Sequence, residues 1–142
     1  MARVLVDTSA VYALLDRSDA NHAAAQAELQ TLKRRRVEPL LTNLVVAESH
    51  ALLLARLDAA IARRWLISIA WPIERVTPED EARATAIVAR YTDKTFTYTD
   101  AASFAVMERL GLRAAFAFDS HFRQYGFQVL GLSGDAVAGS TP

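Results

Sequence analysis

The chain contains no cysteine, which excludes disulfides and thiolate metal sites. It has no net charge: sixteen Lys and Arg balance sixteen Asp and Glu. That excludes a protein that grips nucleic acid by overall basicity, so any such contact has to come from a local patch. Long apolar runs are also missing. The run "ALLLA" at 51–55 is far short of the roughly 18 residues a membrane span needs. After Met-Ala-Arg the chain enters a strand-like run directly, so no secretory leader is expected. There is no internal repeat and no composition break that would mark a linker. What is present is an apolar content of 52% in 142 residues, enough for the core of one domain of ordinary size. These features predict a soluble, cytoplasmic, globular protein in a single domain over 1–132. The polar segment "SGDAVAGSTP" is expected to form a flexible tail over 133–142.

Short apolar runs alternate with helical patterns. Strands are predicted at "RVLVD" (3–7), "EPLLT" (38–42), "IERV" (73–76), "AAFAF" (114–118) and "FQVLG" (127–131). Between them lie helical stretches: 8–16 with Thr8 or Ser9 as N-cap, an Ala-rich stretch over 18–36, and 43–57 capped by Asn43. A further helix starts at Asp58 and runs to Pro72. The stretch "TPEDEARATAIVARY" combines a Thr77 cap, Pro78 and three acidic residues in its first turn. A polar loop over 92–98 precedes a helix from Thr99 to Gly111, and "DSHFRQYG" reads as a short helical turn. Strands that are apolar throughout, rather than alternating, are buried on both faces. The fold class is therefore α/β: an open parallel sheet of five strands covered by helices on both sides. In such sheets ligands bind beyond the carboxyl ends of the strands, near the switch in strand order.

Four carboxylates fall in places where water would not be expected. Asp7 and Asp119 end apolar strands. Glu48 lies early in "NLVVAESHALLLA", a helix with few polar residues, on the face of Leu44, Val45, Leu52 and Ala55 that is expected to pack on the sheet. Asp100 opens a helix whose next turns are small or apolar. Each has an ordinary structural explanation, such as capping, a favourable helix dipole or pairing with an arginine. Together they converge on one end of the sheet. Two carboxylates about 4 Å apart repel by about 4 kcal/mol at an effective dielectric of 20. A hard divalent cation removes that cost. The lack of cysteine and of a His pair at helical spacing argues against zinc, whereas Mg²⁺ takes oxygen ligands and completes its shell with water and substrate phosphate. Four charges against one Mg²⁺ leave two in excess. Such a site calls for a protonated carboxylate, a supporting role for one of the four, or a second ion arriving with phosphate. It suits phosphodiester hydrolysis by metal-activated water.

The segments "VLVDTSA", "NLVVAES", "FTYTDAASFAVM" and "AFAFDSHF", in this order and spacing, resemble the PIN domain, and within it the VapC-type toxins of bacterial toxin–antitoxin pairs. The resemblance covers about Arg3 to Leu132. It implies a three-layer α/β/α sandwich and a Mg²⁺- or Mn²⁺-dependent endoribonuclease. It further implies Asp7, Glu48, Asp100 and Asp119 as catalytic metal ligands, a homodimer, and inhibition by a small VapB-like antitoxin. Substrates of such proteins are structured RNAs such as tRNA or rRNA.

Other residues have two readings each. Thr8 and Ser9 either hydrogen-bond the metal's water and the phosphate or cap a helix. Ser103, one turn beyond Asp100, is a candidate to support it. Asp93 and His121 are expected to be exposed. The basic run Lys33, Arg34, Arg35 and Arg36 is either a solvated helix end or an RNA contact, and Arg63 and Arg64 are comparable. The apolar helix carrying Trp65 and Trp71 is core or part of an antitoxin groove. Rival readings fit less well. A phosphoacceptor receiver needs a second acid near the first strand and a late Lys. A haloacid-dehalogenase-type phosphatase needs Asp-x-Asp where this chain has Asp7-Thr8-Ser9. A non-catalytic RNA- or partner-binding module remains as the alternative to the enzyme.

Overall fold

Val4 and Val6 pack into one hydrophobic core and Leu5 into another. The same alternation recurs at Leu40 and Leu41, and at Ala115, Phe116 and Ala117. Both faces of these strands are buried, which is why their sequences are apolar throughout. The computed structural model describes residues 2–132. The predicted tail over 133–142 lies outside the described residues.

The strands are β1 (Arg3–Val6), β2 (Glu38–Thr42), β3 (Ile73–Glu74), β4 (Ala114–Phe116) and β5 (Gln128–Leu130). They form one sheet in the order β3-β2-β1-β4-β5, with every pairing parallel. The predicted fold class stands. The order reverses beside β1, between β1 and β4, so the switch point falls where Asp7 and Asp119 follow their strands.

The helices are α1 (Thr8–Leu15), α2 (His22–Arg34), α3 (Asn43–Arg56), α4 (Ala59–Ile67), α5 (Pro78–Arg90), α6 (Tyr98–Leu110) and α7 (His121–Tyr125). Residues of α5, α6 and α7 build the core that contains Leu5, with Phe104, Met107 and Ile87 at its centre. Residues of α1, α2 and α4 close the opposite face over Val4, Val6 and Phe116. Three layers result.

Several helix ends differ from expectation, each for an identifiable reason. Asp7, not Thr8 or Ser9, caps α1. Thr42 caps α3 through its hydroxyl, which accepts from the Val45 N–H. Asn43, the expected cap, instead accepts from the Val76 N–H at 2.8 Å and ties α3 to the segment after β3. Thr97 caps α6, one residue before its Tyr98 start. Helix α2 begins at His22 because Asp16 and Asp19 hold the preceding residues in turns. Helix α4 stops at Ile67, short of Pro72, and the Pro72 carbonyl is drawn into the sheet by the Leu41 N–H at 3.0 Å.

One ion pair anchors the α5–α6 layer. Asp80 forms a capping box with Thr77 and also receives the Arg109 guanidinium at 2.9 Å, while Arg109 reaches Glu74 at 3.0 Å. The Asp80 side chain is 4% exposed. Removing it takes from Arg109 the more buried of its two carboxylate partners and opens one half of the capping box. Asp80→Ala should lower stability by about 1–2 kcal/mol, measured by urea unfolding. A loss below about 0.5 kcal/mol would mean that the pair is a surface contact only.

Candidate active site

Asp7 is placed by its own backbone. Its N–H donates to the Phe116 carbonyl at 2.9 Å, which locks the residue to the end of β4. Its carboxylate accepts from the Ser9 N–H at 3.1 Å and the Ser9 hydroxyl at 2.7 Å. The Ser9 oxygen in turn accepts from the Phe118 N–H at 2.9 Å. One serine therefore joins the ends of the two strands that flank the switch point. Thr8 also lies here, with its hydroxyl buried and without a hydrogen-bond partner.

Asp100 closes the capping box of α6: it accepts from the Thr97 N–H, and its own N–H donates to the Thr97 hydroxyl, both at 3.0 Å. His121 Nδ1 lies 2.7 Å from the same carboxylate oxygen, Oδ2. Both partners use Oδ2, so Oδ1 is left for the cleft. Asp119, in the turn after β4, accepts from the His121 N–H at 3.0 Å. Asp100, Asp119 and His121 each offer an atom within 4.8 Å of the others. Glu48, half-buried in α3, faces the same cleft, which has a volume of about 340 Å³ and also exposes Asp7, Ser9 and Thr97. The structure thus brings together all four carboxylates singled out in the sequence.

Their electrostatics are unfavourable as they stand. Asp7 is 2% exposed, and burial, reinforced by Asp119 and Asp100 and only partly opposed by Ser9, pushes its pKa up to about 8. Burial raises Asp100 as well, with the Thr97 N–H and His121 pulling the other way. Among the described residues no Lys or Arg is ion-paired with any of the four. A cluster of oxygen donors with one imidazole and no directly paired Lys or Arg among the described residues fits a hard divalent cation. Buried acids of this kind are typical of functional sites rather than of cores.

Not every candidate joins the cleft. Ser103 is fully buried in α6, its hydroxyl unpartnered, and does not line it. Lys33, Arg34, Arg35 and Arg36 sit at the other end of α2. Asn21, at its start, lines the cleft, and 13 helical residues, a rise of about 20 Å, lie between. Arg35 instead lines a hollow with Arg3, Val37 and Ala114 at the amino end of the sheet. Asp93 is exposed and paired with Lys94, as expected. His121, expected on the surface, is half-buried in the site, because the turn after β4 folds back onto α6. Glu48 is not on the buried face of α3, which carries Val45, Ser49 and Leu53. Its stripe continues through Leu52 to Arg56, and all three line the cleft together with Tyr12. The i, i+4, i+8 spacing of Glu48, Leu52 and Arg56 was the signal that could have found Arg56.

The PIN domain family matches residues 4–128. Two relatives from Mycobacterium tuberculosis, strains CDC 1551 / Oshkosh and ATCC 25618 / H37Rv, are 35% identical over 127 residues, 87% of this chain and 95% of theirs; each is named 23S rRNA-specific endonuclease VapC20. The crystal structure of M. tuberculosis VapC20, described as a Sarcin-Ricin loop cleaving toxin, superposes with a TM-score of 0.78 at 30% identity. It covers 87% of this chain and 95% of that one.

Proposed function

This chain belongs to the PIN-domain family and is an endonuclease of its VapC type; on that footing we propose that it hydrolyses structured RNA as the toxin of a VapB–VapC pair, using Mg²⁺ or Mn²⁺. The observation that carries this reading is the cleft at the β1–β4 switch point, where Asp7, Glu48, Asp100 and Asp119 meet and, among the described residues, no Lys or Arg is ion-paired with them. Ribosomal RNA is favoured over tRNA as the substrate class, because the relatives of known target are 23S rRNA-specific.

In this mechanism Asp7, Glu48, Asp100 and Asp119 would hold the cation, and the chemistry it would supply there is acidification of a water and neutralisation of charge on the phosphate. Ser9 fixes the rotamer of Asp7, and Thr97 with His121 fixes Asp100 so that one oxygen faces the substrate. The buried, unpartnered Thr8 hydroxyl is a neutral donor for an ordered water at the edge of the cleft. Ser103 supports α6 from within the core. The basic run 33–36 is too remote to touch the scissile phosphate, and would reach only an RNA that extends about 20 Å beyond it.

Partners follow from the same membership. An apolar groove of about 590 Å³ runs between α1, α2 and α4, lined by Leu14, Leu29, Trp65, Ile69 and Trp71. It has the shape and chemistry to seat an amphipathic helix of a VapB-like antitoxin. A homodimer is the expected assembly, and the exposed Leu54, Ile67 and Val88 are available to it. Among the described residues no helix is long and apolar enough to cross a membrane.

The test is incubation of the purified protein with ribosomes and total RNA in Mg²⁺, then in EDTA, with mapping of new 5′ ends. Discrete cuts that vanish in chelator are expected. Cuts that persist in EDTA would remove the metal mechanism. Tight RNA binding without new ends would favour the non-catalytic module.

A further inference from the structure

Arg56 ends α3, two turns beyond Glu48, and lines the mouth of the acidic cleft. Its guanidinium lies over the ring of Tyr12, 5.5 Å from the centroid. Tyr12 is itself braced: its hydroxyl donates to Asp16, and Asp16 is held by the Ser18 N–H at 2.9 Å and the Ser18 hydroxyl at 2.7 Å. Arg56 therefore rests on a platform that does not move freely.

Its position is what sets it apart. Among the described residues Arg56 has no ion pair, although Asp19 and Glu48 line the same cleft. Among the described residues it is also the one of that lining with a permanent positive charge. A cleft walled by carboxylates repels a polyanion, and a cation held at its floor neutralises only what it touches. The phosphates on either side of the reacting one still need a partner. A guanidinium offers a planar fork that matches phosphate bidentately, and stacking on an aromatic ring limits the freedom it loses on binding.

We propose that Arg56, held over Tyr12, clamps an RNA phosphate adjacent to the scissile one at the mouth of the cleft. This rests on the ribonuclease reading above. The arginine acts on substrate affinity and register and takes no part in the chemical step. The competing explanation is a stabilising cation at a helix C-terminus, and it predicts an effect on stability instead.

Arg56→Met, Arg56→Lys and Tyr12→Phe separate these. Arg56→Met should raise KM for an RNA substrate about tenfold, with kcat within about threefold. It should also reduce the slope of log affinity against log salt by about one charge, as loss of one phosphate contact requires. Mn²⁺ binding, read as a thermal shift of the RNA-free protein, should not change. Arg56→Lys should recover part of the affinity. Tyr12→Phe keeps the ring and should have a smaller effect than Arg56→Met. An unchanged KM and salt slope would overturn the clamp, as would a lowered melting temperature with unaltered RNA affinity. If the wild-type protein cuts no RNA, the ribonuclease reading fails. In that case fluorescence anisotropy of RNA binding, wild type against Arg56→Met in EDTA, still decides the role of Arg56.

Discussion

Asp7→Asn should abolish RNA cleavage, by about 10³-fold or more, and at the same time raise the melting temperature of the metal-free protein. Both effects come from one position. The carboxylate is almost wholly buried and stands beside Asp119 and Asp100. In the absence of a cation its charge works against the fold. An asparagine keeps the Oδ that accepts from Ser9, occupies the same volume and carries no charge. The folded state should therefore gain stability, while a cation bound as proposed would lose its most deeply buried ligand. The measurement is paired: cleavage of an RNA substrate in Mg²⁺, and thermal unfolding in EDTA, with circular dichroism to show that the fold is kept. A variant that still cuts within tenfold of wild type would remove Asp7 from the site. A lower melting temperature would show that Asp7 serves the architecture instead.

The second large effect is on stability as a function of pH. Asp7 ionises near its ordinary value of 3.8 in the unfolded chain and at about 8 in the folded one. Across that window the folded state holds a proton that the unfolded chain has lost, so stability falls as pH rises. The shift at Asp100 is in the same direction. Asp16, Asp80 and Glu108 are shifted down, so their contributions are lost only at acid pH and do not interfere. Between pH 6 and 8 one proton accounts for about 2 kcal/mol, or about 5–10 °C for a domain of this size. Metal-free protein should melt lower by that amount at pH 8. Mn²⁺ or Mg²⁺ should restore it, with a larger stabilisation at pH 8 than at pH 6, because cation and proton compete for the same oxygens. Differential scanning fluorimetry with and without EDTA measures this directly. A melting temperature that is flat from pH 6 to 8, with no metal increment, would contradict the cluster's electrostatics.

What could be read from the residues and what could not divide along the range of the interactions. β1, β2 and β4 were legible because burial on both faces leaves an apolar run, β3 and β5 from shorter apolar runs at the sheet edges, and the carboxylates because each stands at or in an otherwise apolar stretch. Thr77 and Asp58 were legible as caps for the same local reason. The errors have distant causes. Asn43 looks like a cap, but its partner is Val76, 33 residues away. His121 looks exposed in "DSHF" and is half-buried because Asp100, 21 residues earlier, lies 2.7 Å from it. The helix through Trp65 reads on to Trp71, yet Pro72 is pulled into the sheet by Leu41, which stops the helix early. Arg56 was within reach of helical periodicity, but its role depends on Tyr12 in another helix.

The Ser9 bridge has one more consequence. Because a single hydroxyl ties Asp7 to the Phe118 amide, the floor of the site cannot breathe without parting the two central strands. The Phe118 amide should exchange with deuterium as slowly as the deepest core amides. Whatever adaptation a bulky, folded nucleic acid demands has to be supplied by the rim, by α1 and α3 with Tyr12 and Arg56. Change in target choice among related proteins can then accumulate on that rim while the hydrolytic floor stays as it is.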